Sequence, residues 1–136
     1  MESVMSYPSL ASRGAAPVGT IDHLDEEGRM VVALMRGNHG HWEDDLARVF
    51  GQMMGIVQSH GRRALLHHSK TCSCLGADEA TIVELVRRAG SGARSDATLM
   101  ALMLVSAEVA PLMVSMAEQL ALLIRLDIRI GSGPFH

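Results

Sequence analysis

Residues 96 to 130 read DATLMALMLVSAEVAPLMVSMAEQLALLIRLDIRI, and this stretch decides the fold. At about 100° per residue, the polar side chains of Glu108, Ser115 and Gln119 fall close to one line of a helix, and most of the remaining circumference is apolar. A helix that is apolar on most sides lies at the centre of its domain, in an oligomer interface or in a membrane.

Pro111 interrupts the same stretch. Proline has no backbone N–H to donate, and its ring clashes with the preceding turn, so a helix kinks or ends there. The sequence therefore predicts a kinked or divided C-terminal helix, with one piece over about 96–109 and a second over about 111–128.

The apolar run over 99–126 is also long enough for a membrane span, which takes ~20 residues. Glu108 and Pro111 would then lie near the middle of the bilayer, where a buried carboxylate is costly, so a membrane span is the less favoured interpretation. The other helices are too short to cover the whole apolar surface in a 136-residue monomer. We therefore predict a homo-oligomer that associates through residues 96–128, with a protein partner as a further use of this surface.

Helical patterns also fill the chain before this stretch. Apolar residues recur at helical spacing over about 20–35, 41–60 and 78–89, with Asp78 as the expected N-cap of the third segment. The sequence RRALLHHS, at 62–69, predicts a further turn or two of helix. The predicted fold class is all-α, a compact helical bundle of about five helices.

The chain divides into a leader, one domain and a tail. Residues 1–19 are rich in Ser, Ala, Gly and Pro without periodicity, so we expect a flexible leader. Residues 20–130 are expected to form a single helical domain, because a chain of this length fits one domain. Residues 131–136, GSGPFH, are expected to form a short C-terminal tail.

Composition and charge narrow the classes of partner. Hydrophobic residues make up 48% of the chain but include only one Trp, one Tyr and two Phe, a skew that favours helices over strands. A net charge of −3 without an arginine-rich stripe argues against nucleic acid as a partner. Two cysteines are too few for a secreted disulfide scaffold, and the N-terminus lacks a signal-peptide pattern, so a cytoplasmic location is expected.

The candidate site is HHSKTCSC, at 67–74, which contains two adjacent histidines and both cysteines of the chain. Thiolate and imidazole are the usual ligands of structural zinc, which takes four in a tetrahedral arrangement. Zinc or another transition metal is therefore the candidate cofactor. Two further histidines, in the NHGH segment at 38–41, extend the set if the fold brings both loops together. The predicted metal ligands are His67, His68, Cys72, Cys74, His39 and His41.

Two other interpretations of these residues stay open. The spacing differs from the C-x2-C and H-x3–5-H patterns of strong zinc sites, so a helix end followed by a loop with one buried cysteine explains it more simply. The C-x-C pair can also be a redox-active dithiol. In that case the dipole of the helix from Asp78, and cationic Lys70 or His68, would lower the pKa of a thiol.

No phosphate-binding glycine loop, nucleophile elbow or H-E-x-x-H motif occurs, so no catalytic residue is predicted and an enzyme is less expected than a binding protein. The sequence predicts a small oligomeric regulatory or adaptor protein, tuned by the metal or thiol state of the His/Cys cluster. The alternatives are a small metal- or thiol-dependent enzyme that uses the same cluster, and a membrane-associated helical protein.

Overall fold

The computed structural model describes residues 13–37 and 44–131. The helices in this part of the chain are α1 (Glu26–Met35), α2 (Asp44–His60), α3 (Ala77–Gly90), α4 (Arg94–Leu104) and α5 (Ala110–Gly131). The strands are β1 (Pro17–Thr20) and β2 (Cys74–Gly76). The prediction of an all-α bundle of about five helices is confirmed, with a small two-stranded sheet added to it.

α5 is the central helix of the bundle. It contacts each of α1, α2, α3 and α4. The side chains on its inner side are at most 1% exposed, and they are Ala110, Met113, Val114, Ala117, Leu120, Ala121 and Ile124. Alanines among larger residues let neighbouring helices approach closely. At Gly90, the last residue of α3, an added Cβ would lie only 2.6 Å from the Cβ of Ala121.

The predicted division of the C-terminal stretch is confirmed, and it is a complete break over residues 105–109. Pro111 occupies the first turn of α5, where its missing N–H costs little because the first N–H groups of a helix lack acceptors within it. The end of α2 is hydrogen-bonded to the segment between α4 and α5. The N–H of Arg62 donates to the carbonyl of Leu104, and that of Ser106 to the carbonyl of His60, both at 3.0 Å.

The further helical turns predicted over 62–69 are wrong. α2 ends at His60, and residues 62–69 run without helix. The physical reason is that the N–H of Arg62 bonds to Leu104 of α4 instead of continuing the hydrogen-bond ladder of α2. Asp78 is not the N-cap of α3 either, because Gly76 takes that position and Asp78 lies in the first turn.

The small sheet changes the expected start of the domain. β1 pairs antiparallel with β2, with Thr20 opposite Cys74 and Pro17 opposite Gly76. The backbone before β1 is also bound, since the N–H of Ala77 donates to Ala16 at 2.9 Å. Residues 13–19, predicted as part of the leader, therefore pack against the helical domain. Residues 1–12 and 132–136 lie outside the described residues.

The outer sides of α4 and α5 keep large apolar side chains in contact with solvent. Their exposed fractions run from 44% to 70%, and they are Leu99, Met103, Leu112, Leu122, Leu126 and Ile130. Over residues 13–37 and 44–131, no helix combines the length and the apolar character that crossing a bilayer requires.

The close approach at Gly90 gives a test of the packing. Gly90→Ala is expected to lower the free energy of unfolding by about 1–3 kcal/mol, because the added methyl group overlaps Ala121 and overpacking a core costs that much. Gly51→Ala in α2 is the matched control: nothing lies within 4 Å of its added Cβ, so it should gain up to ~1 kcal/mol of helix propensity. Urea denaturation measures both. A stabilised Gly90→Ala variant would contradict the packing described for α3 and α5.

Candidate functional site

Arg36, the residue that follows α1, is the centre of the site and is only 7% exposed. Its guanidinium pairs with both oxygens of Glu79 in the first turn of α3, Nε with Oε2 at 2.6 Å and Nη2 with Oε1 at 2.9 Å. It also donates to the carbonyl oxygens of Cys72 and Cys74, at 2.7 and 2.8 Å. One planar cation therefore ties the backbone of both cysteines to α1 and α3.

The Glu79 carboxylate completes the centre of this network. It is 0% exposed and accepts hydrogen bonds from the backbone N–H of Gly76, at 2.9 Å, and of His68, at 3.2 Å. Burial alone raises the pKa of Glu79, but the hydrogen bonds from Arg36, Gly76 and His68 outweigh it and hold the pKa below its ordinary value. The buried carboxylate is therefore charged at neutral pH and satisfied on both oxygens.

Asp78, beside Glu79, holds the first part of the same loop. Its carboxylate accepts two hydrogen bonds from the guanidinium of Arg63, at 2.8 and 2.7 Å, and one from the N–H of Leu66 at 2.8 Å. Its own N–H donates to the carbonyl of Gly14 at 2.8 Å. Two adjacent acids at the start of α3 therefore position the whole connection from Arg63 to Gly76.

His68 lies against Cys72 in this connection. Its Nε2 is 2.9 Å from the carbonyl oxygen of Ala15, which only accepts, so Nε2 carries the ring proton. In the neutral ring Nδ1 then has a free lone pair, and it lies 3.7 Å from the Sγ of Cys72. This nitrogen can accept a hydrogen bond from the Cys72 thiol or bind a metal ion.

Cys72 and Cys74 are free cysteines, and each is partly buried. The hydrogen bond with Cys72 raises the pKa of the Cys74 thiol, and the charge of Cys72 and partial burial act in the same direction. The charge of Arg36 acts in the opposite direction but is the smallest of these contributions, so the pKa of Cys74 is raised rather than lowered. A thiol with a raised pKa is protonated at neutral pH and reacts more slowly than a thiolate.

The structure brings together only part of the predicted metal-ligand set. His68, Cys72 and Cys74 are neighbours, whereas His67 is exposed and its Nδ1 bonds to the carbonyl of His68 at 2.9 Å. The other two predicted ligands, His39 and His41, lie outside the described residues. Among the residues described, no three or more His, Cys, Asp or Glu side chains are arranged to hold a metal ion.

The residues that organise the site were missed by sequence reasoning. Arg36 and Glu79 are 43 positions apart, and Arg63 and Asp78 are 15 apart, so no local spacing connects either pair. The sequence predicts only an N-cap role for Asp78 and no role for Glu79. The available signal was a lone arginine directly after the apolar face of α1, which a buried carboxylate would explain.

An open pocket of about 290 Å³ lies beside the loop. Its walls include Arg29 and Val32 from α1 and Lys70, Thr71 and Cys72 from the loop. Arg29 and Lys70 outnumber the one carboxylate of the lining, Asp22, so the wall beside the backbone of Cys72 is positively charged.

Similarity to known proteins adds nothing to the geometry: no protein-family model, curated protein or solved structure matches the chain. The chemistry of the Arg36 network is therefore the basis for a functional proposal.

Removal of Arg36 tests the energetic role of the network. Arg36→Met is expected to lower the free energy of unfolding by about 3–5 kcal/mol, because it leaves the Glu79 carboxylate buried without a counter-charge. Arg48→Met is the control: Arg48 pairs with Asp45 across 3.4 Å in an exposed position, so its loss should cost less than about 1 kcal/mol. Urea denaturation of both variants gives the comparison, and equal losses would contradict the role assigned to Arg36.

The lowered pKa of Glu79 predicts a specific dependence of stability on pH. Because the folded-state pKa lies below the ordinary value of 4.5, the stabilisation is complete above that pH and is lost as pH falls through the folded-state pKa. Glu79→Gln removes the charge, so the stability difference between wild type and variant should be largest near neutral pH and shrink below about pH 4. A difference that stays constant from neutral to acid pH would contradict this assignment.

Proposed function

We propose that this protein is a small oligomeric regulatory or adaptor protein whose helical surface is tuned by the thiol or metal state of His68, Cys72 and Cys74. One observation carries the proposal. Arg36 holds the carbonyls of both cysteines and the Glu79 carboxylate at once, so the loop, α1 and α3 cannot move independently.

In the thiol form of the proposal, oxidation closes a disulfide between Cys72 and Cys74. Each thiol loses its proton, one S–S bond forms, and the two electrons reduce a low-molecular-weight disulfide to two thiols. A disulfide needs Cα atoms about 4.4–6.8 Å apart and fixed side-chain geometry. Closing it would tighten the loop around Ser73, and the carbonyls of Cys72 and Cys74 are expected to shift from their positions on Arg36.

A metal ion would act on the same loop. The Nδ1 of His68 and the Sγ of Cys72, 3.7 Å apart, would supply two ligands, and Cys74 would become the third after the loop rearranges. The fourth position falls to His67, His39 or His41 after rearrangement of the loop. Binding zinc or another transition metal releases the thiol protons and fixes the loop against α3.

Either oxidation or metal binding would act on the apolar outer surface of α4 and α5. α3 packs along both of these helices, so a shift at its first turn reaches them through the core. The predicted self-association through residues 96–128 and the binding of a protein partner both use this surface. A reducing cytoplasm would keep the resting loop in its dithiol form.

A small thiol-dependent enzyme is the second candidate. The observation in its favour is that Cys72 lines the open pocket together with Arg29 and Lys70, which would favour a small anionic substrate. Turnover that is lost in Cys72→Ser and Lys70→Ala but kept in Cys74→Ser would support the enzyme over the adaptor.

The coupling is tested on the full chain in reduced and oxidised forms. Oxidised glutathione is expected to form the intramolecular disulfide, seen as the loss of two free thiols, and to speed amide hydrogen exchange over residues 72–79 and at the end of α1. The variant with Cys72 and Cys74 both changed to Ser is the control and should show no difference between the two conditions. Zinc titration of wild type and control tests the metal form, with one ion per chain expected only in wild type.

Two results would overturn the proposal. A disulfide that forms without changing exchange at Glu79 and the end of α1 would show that the loop does not transmit its state. Failure of both oxidation and zinc to act on the cysteines would leave the loop as a structural connection.

A further inference from the structure

The outward side of α5 carries a heptad-spaced seam. Steps of three and four residues lead from Leu112 to residues 115, 119, 122, 126 and 129, the spacing of a coiled-coil contact line. The large side chains along it face solvent, with Leu112 51%, Leu122 60% and Leu126 44% exposed. The same helix is fully buried on its inner side, so the seam is the side that the other helices leave open.

The two ends of the seam differ in shape. At one end Leu112 projects from the first turn of α5. At the other end a groove of about 220 Å³ runs between α2 and α5, lined by Leu46, Leu123, Leu126 and Ile130 together with two aspartates. Leu112 and Leu126 are 14 positions apart, or ~21 Å along the helix. A projection and a groove on one surface form both contacts at once, in a closed pair, only when the second copy runs in the opposite direction.

The charges at the ends of the seam select the same orientation. Glu108 is exposed just before α5 begins, and Arg129 is exposed near its end. Neither forms an ion pair with another residue in the described ranges. In a parallel pair Glu108 would face Glu108 and Arg129 would face Arg129. An antiparallel pair instead brings Glu108 of one copy to Arg129 of the other at both ends.

We infer that two copies of this chain associate through an antiparallel pairing of their α5 seams, with the two-fold axis at Gln119. In this register Leu112 of each copy enters the partner's groove at Leu126, and Glu108 lies opposite the partner's Arg129. Leu112 and Leu126 each lie seven residues from Gln119, and Glu108 and Arg129 lie eleven and ten residues from it, which sets this register. The inference rests on the proposed self-association and adds its surface, orientation and register.

The test uses sedimentation equilibrium of the reduced full chain over a range of concentrations. Leu112→Asp is expected to give a monomer, and acid in the first turn of a helix is compatible with folding. Val18→Asp, on β1 and 57% exposed in the wild type, is the control and should remain a dimer. Circular dichroism and thermal unfolding of both variants verify that they fold.

Charge reversal reports the orientation. Glu108→Arg and Arg129→Glu are each expected to raise the dimer dissociation constant about tenfold, since each turns two attractive contacts into repulsive ones. The double variant restores the attraction with the charges exchanged, so its dissociation constant should return to within about threefold of wild type.

The outcomes separate the inference from the proposal on which it rests. A wild-type chain that is monomeric at all concentrations would overturn both. A dimer that Leu112→Asp leaves intact would overturn the seam but keep self-association. A dimer that Leu112→Asp breaks, but whose charge-reversal double variant is no tighter than the single ones, would overturn the antiparallel orientation.

Discussion

Burial of the apolar circumference of α5 is the constraint on which the rest of the bundle depends. Full burial of one large apolar side chain contributes ~1.5–3 kcal/mol, and Met113, Leu120 and Ile124 each receive it in full. The remaining four helices pack around α5 because each of them removes part of its apolar surface from water. They do not cover its whole circumference, and the seam from Leu112 to Arg129 remains exposed to solvent.

The polar network at the start of α3 supplies hydrogen-bond partners for the backbone of the cysteine loop. A connection without regular structure exposes backbone groups that must find partners, and here Asp78 and Glu79 supply acceptors while Arg36 supplies donors. A buried ion pair adds little net stability once its desolvation is counted, but leaving one partner alone is costly. Arg36 and Glu79 therefore act mainly on specificity: they allow one position of the cysteine loop and penalise others.

The cysteine loop and the seam on α5 are connected by packed helices. The cysteine loop is fixed to the first turn of α3, α3 packs against α5, and α5 carries the seam on its far side. In the proposed function, a change in loop geometry that displaces Glu79 would alter the packing beneath the seam without any contact between the cysteines and a partner. The displacement would pass from α3 to α5 because a close-packed core has low compressibility and transmits strain between neighbouring side chains.

Sequence reasoning predicted the helices well and the site only in part. The helices follow from local periodicity, which an amphipathic segment carries within itself, and Pro111 marked the division between α4 and α5 for a local reason too. His68, Cys72 and Cys74 were neighbours in sequence and are neighbours in space. Arg36 could not be foreseen as their organiser, because its partner Glu79 is 43 positions away and nothing in either local pattern refers to the other.

The sequence by itself determined the fold class, the number of helices and the largely apolar circumference of residues 110–124, because each depends on residue type at short spacing. Only the tertiary structure decided that 62–69 leaves the helix, that 17–20 pairs with 74–76, and that the loop is bound through Arg36 and Glu79. These features share one physical cause. A backbone or charged group takes the partner that the packed chain brings to it, and that partner is chosen by the arrangement of the helices rather than by its neighbours in sequence.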